Sequence, residues 1–367
     1  MWRRSNSIVW LAWLAAAAAS GQSAPFRVDL PAGSPVTLVQ ADWDGSSAVP
    51  RGGALLVELH ANLTLRNVSP RRIRGLSLRV VAQEVAPGGR GSVTRPGLDV
   101  APGESFPVRV DLRLMRPLAP PSGALVEVAL DGVLFDDLTF YGPNRMNVRR
   151  SMLAWELEAR RDRQVLASLL DSGGEEALRA RLLEVLARSS ANEMMPVQVL
   201  RGALPATNVE PGRAVELALL RLPEAPVELL SGEAIVAGAE ARAPKVEIFN
   251  RGRTPVRFVE LGWLAPDAKG RLQPAGSLPA EIHLPPGERS VVRNEARVRF
   301  ARPVEALTVY PALVEFENGQ VWVPPASIWR QPELRQALPP SGELLRLAEL
   351  YRRKGLDAVV QQVRSMR

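Results

Sequence analysis

ALVEVALDGVLFDD, residues Ala124 to Asp137, decides the fold, because a shortened echo of it, ALVEFENGQVWV, returns at Ala312 to Val323. Apolar residues alternate into Asp131-Gly132 in the first copy and Asn318-Gly319 in the second. Both dipeptides tolerate the positive φ angles of a type I′ turn, so each stretch is expected to be a β-hairpin. With two loop residues, Val126, Val128, Leu130, Val133 and Phe135 share the core face of the first hairpin. The same count puts Val314, Phe316, Val321 and Val323 on the core face of the second. It turns Glu315, Gln320 and Trp322 outward.

Upstream, residues 25–143 read almost entirely as strand. Phe106, Val108, Val110, Leu112 and Leu114 alternate with Pro107, Arg109, Asp111 and Arg113, which gives one core face and one wet face. Further strands are expected at Val36 to Val39, Leu55 to Arg66 and Ile73 to Val81, with turns at Asn67 to Pro70, Pro87 to Gly91 and Pro102-Gly103. Short strands at this spacing fit a two-sheet sandwich. From Met146 to Ser190 the period changes. Met152, Trp155, Ala159, Leu166 and Leu169 recur at helical spacing, as do Leu178, Leu182, Val185 and Leu186 beyond Ser172-Gly173-Gly174. A helical hairpin is expected, with Arg149, Arg150, Arg160, Arg161, Arg163, Glu156, Glu158 and Asp162 on its solvated face.

Strands resume near Pro196, and the landmarks of the first half recur in order. Pro35-Val36 matches Pro226-Val227, Asn67 matches Asn250, Pro102-Gly103-Glu104 matches Pro286-Gly287-Glu288, and the two ALVE stretches match each other. Gly174, Leu178 and Leu182 likewise find counterparts in Gly355, Val359 and Val363. The reading is an internal duplication. A leader (1–20) precedes a β-sandwich (25–143), a helical hairpin (144–192), a second sandwich (193–330) and a C-terminal helical hairpin (331–367). The last pair runs from Leu344 to Tyr351 and from Leu356 to Val363, with Gly355 between its members. The fold class is mainly β with helical insertions.

The pattern NVSPRRIRGLSL, APGESFPVRVDL and ALVEVALDGVLF resembles the immunoglobulin-like β-sandwich modules of bacterial envelope and secreted proteins. The resemblance covers 25–143 and 226–329 and implies two such sandwiches, without the antibody-type Cys…Trp…Cys signature. It implies no particular activity.

The first residues, MWRRSNSIVWLAWLAAAAASGQSAP, carry a basic start, an apolar run from Ile8 to Ala19 and small residues near a cleavage point. That is the pattern of a secretory leader, so the mature chain is expected to be exported, either periplasmic or extracellular. The apolar run is short for a bilayer span and no other segment approaches spanning length. Formal charge is +7, and arginine supplies all but Lys245, Lys269 and Lys354 of the 46 basic residues. Arginines interleaved with acids argue against a nucleic-acid stripe, and no cysteine is present to form a disulfide or a thiol nucleophile.

Catalysis finds little support. His60 and His283 fall in expected strands without triad spacing. In DWDGSS, Asp42, Asp44 and Ser46 could offer oxygens to calcium, but the remaining ligands of an EF-hand loop are missing, and a strand-ending turn is the plainer reading. Glu315 and Glu317 are expected on a solvated hairpin face, and not as paired catalytic acids. The outward Trp322, flanked by Glu315 and Gln320, is the residue to stack on a sugar or anchor a partner, unless the helices cover it. The expected function is an exported, non-catalytic interaction or scaffold protein without a cofactor, binding another envelope or secreted protein. A glycan-binding module using Trp322 is the alternative, and a hydrolase with an unrecognised site is a further one.

Overall fold

The computed structural model of the chain describes residues 26–83, 88–118, 124–193, 198–200, 212–222, 224–267, 269–293, 297–300, 303–330 and 332–366. The expected leader at 1–20 lies outside them. The strands are β1 (Phe26–Asp29), β2 (Val36–Asp42), β3 (Ser47–Arg51), β4 (Ala54–Asn67), β5 (Ile73–Val81), β6 (Arg90–Arg95), β7 (Ser105–Pro117), β8 (Val126–Phe135) and β9 (Phe140–Tyr141). A long helix, α1 (Arg149–Glu193), follows. Then come β10 (Gln198–Leu200), β11 (Arg213–Glu216), β12 (Ala218–Leu219), β13 (Val227–Ala237), β14 (Glu240–Asn250), β15 (Val256–Pro266), β16 (Leu272–Leu284), β17 (Arg289–Arg293), β18 (Arg297–Arg299), β19 (Thr308–Phe316) and β20 (Val321–Trp322). A 3₁₀ turn (Ala326–Arg330) leads into α2 (Pro332–Ala337), α3 (Gly342–Lys354) and α4 (Leu356–Ser365). The chain is mainly β, as its alternating pattern requires.

Four sheets form two layered pairs. Sheet I has the order β1-β8-β5-β6 with β9 beside β8, and sheet II has β4 flanked by β2 and β3 and paired along its length with β7. Their facing side chains, including Leu59, Leu63, Leu76, Leu78, Val110 and Val128, make one apolar core. Sheet III (β10-β18-β14-β13-β11, with β17 on β14) and sheet IV (β12-β19-β15-β16, with β20 on β19) enclose a second core around Val246, Ile248, Leu261 and Trp263. The alternation of β7 buries Phe106, Val108, Val110 and Leu114 as the sequence implies.

The landmarks that repeat in sequence meet in space. Asn67 is fully buried, and its side-chain amide donates to the carbonyls of Arg71 (2.8 Å) and Val100 (3.2 Å) while its Oδ1 accepts from Ser69. Asn250 is equally buried and donates to Thr254 (3.0 Å) and Leu284 (2.9 Å) while accepting from Gly252. The main chain repeats as well. Val68 donates to Pro35 and Gly103 to Asn67 in one half, Arg251 to Pro226 and Gly287 to Asn250 in the other. Each asparagine thus ties three segments of its sandwich together without leaving a buried donor unmet.

The opening stretch departs from its expected form. Asp131 and Gly132 lie inside the continuous strand β8, and the turn comes later, where Phe135 N–H donates to Thr139. Asp131 is fully buried because its carboxylate accepts the N–H groups of Arg145 (2.7 Å) and Met146 (3.2 Å), pinning the segment before α1. Gly132 is needed for space, since a Cβ there would enter the Phe140 ring. The ALVE echo is likewise a shifted match. Leu78 pairs with Leu130 and Leu261 with Pro311, which sets Ala312 against Asp131 and leaves the two ALVE stretches seven residues out of register.

The helices form two glycine-broken pairs. Gly174 breaks α1 with φ 67°, and Gly355 separates α3 from α4 with φ 81°, both in the left-handed half of backbone space that glycine tolerates. The two pairs then pack on each other. Leu166, Leu178, Leu182 and Val185 of α1 meet Leu344, Leu347, Val359 and Val363 in a third apolar core. A helix with one apolar stripe must bury it somewhere, and here each pair supplies the other's cover. Among the described residues no helix is long and apolar enough to cross a membrane.

Candidate functional site

The first half of α1 lies between sheets I and IV, and the arginine-rich face expected to be solvated is what holds it there. Met152 and Leu153 pack with Leu134 and Phe140 from the first sandwich and Val321 from the second. Ala154 packs with Phe258 and Leu313. Two buried glutamates anchor the polar positions. Glu156 of α1 bonds Arg160 (2.9 Å) and Arg163 (2.8 Å) and lies 3.6 Å from Arg74 of β5. Glu315 of β19 takes Arg150 of α1 and Arg257 of β15, with Arg149 at 3.8 Å. Arg150 reaches Glu281 (3.0 Å) as well, and its guanidinium stacks 3.5 Å over the Phe258 ring.

Glu315 was expected on a solvated face, yet it is only 1% exposed. Burial pushes its carboxyl up, but the hydrogen bonds from Arg257 and Arg150 outweigh that and hold it below the ordinary glutamate range. Further along α1, Asp162 accepts from Arg161 (2.9 Å) and from the Ser341 hydroxyl, which in turn caps α3 at Leu344 N–H. Arg161 also donates to the Pro324 carbonyl (2.8 Å).

Trp322 does not point outward. The turn before it spans three residues, Glu317 to Gly319, and not two, since Phe316 N–H donates to Gln320. That shifts the strand by one, so Val321 stands opposite Glu315 and Trp322 opposite Val314. The indole is half-buried against the core of the second sandwich and the neighbouring cluster around Ile328 and Leu338. Gln320 stays exposed, with its N–H bonded to Asn318 Oδ1. Trp155 on α1, by contrast, reaches solvent at 42% exposed, where helical spacing had suggested core.

The remaining candidates resolve simply. Asp42 Oδ1 accepts Asp44 N–H, and Ser46 Oγ exchanges hydrogen bonds with the main chain of His60, so two of the three oxygens considered for calcium are engaged. The described residues hold no group of three His, Cys, Asp or Glu suited to a metal. His60 pairs with Asp111 (2.9 Å) and His283 with Glu317 (2.8 Å), both exposed on strand faces. Ser46, His60 and Asp111 meet, but the serine hydroxyl never touches the imidazole, so they form no nucleophilic relay.

Among the cavities of the described residues, one is built by α1 itself. It is a cleft of about 370 Å³ between α1 and the outer face of sheet IV, lined also by Pro324, Ile328 and Leu338. Trp155, Glu158 and Arg161 line it from α1, one turn apart, and Glu260 of β15 and Tyr310 of β19 line it from the sheet. Glu158 and Glu260 are half-buried and make no hydrogen bond or ion pair among the described residues. Burial pushes the Glu158 carboxyl up to about 7, with Asp162 and Glu260 adding to the rise against Arg161. Tyr310 is raised by burial and by the same two glutamates. The sequence placed Glu158 on a solvated helix face and gave no sign of Glu260 or Tyr310. Only the packing of α1 on sheet IV brings them together.

No protein-family model and no curated protein matches the sequence. Among solved structures, red sea bream transglutaminase aligns at 10% identity and a TM-score of 0.13, over 77% of this chain and 29% of that one. A β-glucosidase from Kluyveromyces marxianus in complex with glucose aligns at 11% identity and a TM-score of 0.17, over 79% of this chain and 48% of that one. The chain therefore spans less than half the length of either structure.

Proposed function

We propose that this chain is an exported, non-catalytic interaction protein of the cell envelope or exterior, built by duplicating an immunoglobulin-like sandwich followed by a helical pair. The observation that supports it is the use made of α1. Its buried charges, Glu156 and Asp162, and the buried Glu315 it covers are spent on clasping the sandwiches and the C-terminal helices together. Polar groups committed to arginines in this way hold a shape and are not poised for chemistry. A duplicated, clasped body suits a scaffold that presents surfaces at a fixed spacing. The recurrence of the Asn67 network at Asn250, and of the Gly174 break at Gly355, supports the duplication.

The test is saturable capture from envelope extract by the immobilised chain without residues 1–20, across several salt concentrations, with cross-links mapped onto the chain. The proposal expects one discrete partner at fixed stoichiometry. Failure to saturate at any salt concentration counts against it. A hydrolase is the second reading, favoured by one observation. Glu158 and Glu260 come from different elements into one cleft, and Glu158 is held in the range of a general acid. Turnover of glycoside or ester substrates that vanishes in both Glu158→Gln and Glu260→Gln would establish that reading in place of the first.

A further inference from the structure

We propose that the cleft between α1 and sheet IV is a binding site for an organic cation, an alkylammonium or guanidinium group. Three observations carry it. First, Glu158 and Glu260 face the cleft with no ion pair or hydrogen bond among the described residues, whereas Glu156, Glu315, Asp162 and Glu343 each hold an arginine. The basic residue in the lining, Arg161, already donates to Asp162 and to the Pro324 carbonyl.

Second, Tyr310 lines the cleft from the sheet, and its phenol offers a hydrogen-bond acceptor there. A bound N–H donor would use it. Third, the exposed Trp155 sits on the same wall as Glu158, three residues and about one turn before it, so an aromatic face and a carboxylate line the cleft together. Aromatic faces and carboxylates together select cations over neutral polar ligands. The volume, about 370 Å³, lies at the small end for ligand pockets and suits one amino-acid-sized group.

The raised Glu158 carboxyl fits this arrangement. Facing it are Arg161 and Asp162 on α1 and Glu260 on β15, a set with one cation against three acids when all are ionised. An incoming cation restores the balance and displaces the proton. Binding should therefore tighten as pH rises from 5.5 to 8, by roughly ten- to thirty-fold given a carboxyl near 7. The site would take a free amine as readily as a side chain on a partner, so it does not rest on the scaffold reading above.

Calorimetry on the chain without residues 1–20 at pH 8 tests this with three probes. These are agmatine, a capped Gly-Arg-Gly tripeptide, and the same tripeptide with citrulline in place of arginine. The expected result is sub-millimolar binding of at least one guanidinium probe, weakened tenfold or more in Glu158→Gln and in Glu260→Gln, with the citrulline peptide at least tenfold weaker. Trp155 fluorescence should report the same event. Agmatine binding as tightly as the peptide identifies a free cation as the ligand type, and a clear preference for the peptide identifies a partner's side chain. Tyr310→Phe, which keeps the ring and the packing, should weaken binding severalfold. Absence of binding by both guanidinium probes at millimolar concentration overturns the proposal. So does equal binding of the citrulline peptide, or binding unchanged in folded glutamine variants.

Discussion

Replacing Glu158 by Gln should make the chain more stable at pH 8 while leaving it nearly unchanged at pH 5. In the fold, burial lifts this carboxyl from its ordinary 4.5 to about 7. Below about 4.5 the folded and unfolded chains both carry the proton and the group has no influence. As pH rises from there toward 7, the unfolded chain releases its proton while the folded chain keeps it, so stability falls. Above 7 the cost is complete and constant. At roughly 1.4 kcal/mol per pH unit the ceiling is about 3 kcal/mol. Because the side chain is half-buried and opens to solvent in the cleft, screening should reduce this to about 1–2 kcal/mol. Urea unfolding of both chains, without added amines, at pH 5 and pH 8 measures it. The glutamine variant should gain about 1–2 kcal/mol over the parent at pH 8 relative to pH 5. A gap that stays the same at both pH values would refute the reasoning.

Other perturbations address the clasp and the repeat. Asn67→Ala and Asn250→Ala should each cost about 2–4 kcal/mol by urea unfolding, because each strips the partner from one buried and one half-buried carbonyl and from a half-buried N–H; a surface-like cost below about 0.5 kcal/mol at either would contradict their tying role. Glu315→Gln should cost about 3–5 kcal/mol at pH 7 by leaving arginines around an uncharged amide. Since the folded carboxyl is held below 4.5, its contribution is present above that pH and fades as pH falls through the lowered value, so the gap between variant and parent should close in acid. Gly132→Ala should destabilise by forcing the Phe140 ring aside, and Phe140→Ala in the same chain should cost less than its effect alone, as a double-mutant cycle would show.

Much of the architecture was legible because strand chemistry is local. The core face of Phe106 to Leu114 follows from alternation alone, and the span Ile73 to Val81 coincides with β5. Asn67 and Asn250 could be matched because a buried asparagine serving a turn leaves the same landmarks around it. Asp131-Gly132 misled for a physical reason. An Asp-Gly pair signals a turn when both residues face water, but here the aspartate captures two distant N–H groups and the glycine makes room for a ring. The reading of Trp322 failed by a single residue of loop length, which in a strand exchanges the two faces. The charged face of α1 looked solvated because helical periodicity shows which residues share a side and not what lies against that side. Sheet I, sheet IV and α3 all press on it. The cleft was illegible for the same reason, since Glu158, Glu260 and Tyr310 lie far apart in sequence and meet only through that packing.

The central claim is that α1 clasps both sandwiches into one body, and the absence of cysteine in the chain allows it to be measured cleanly. Spin labels at Glu58→Cys on β4 and Glu233→Cys on β13, both exposed, report the distance between the two sandwiches by double electron–electron resonance. The account expects a single narrow distribution that broadens when Glu315→Ala opens the clasp. A broad or multimodal distribution in the otherwise unaltered chain would contradict it.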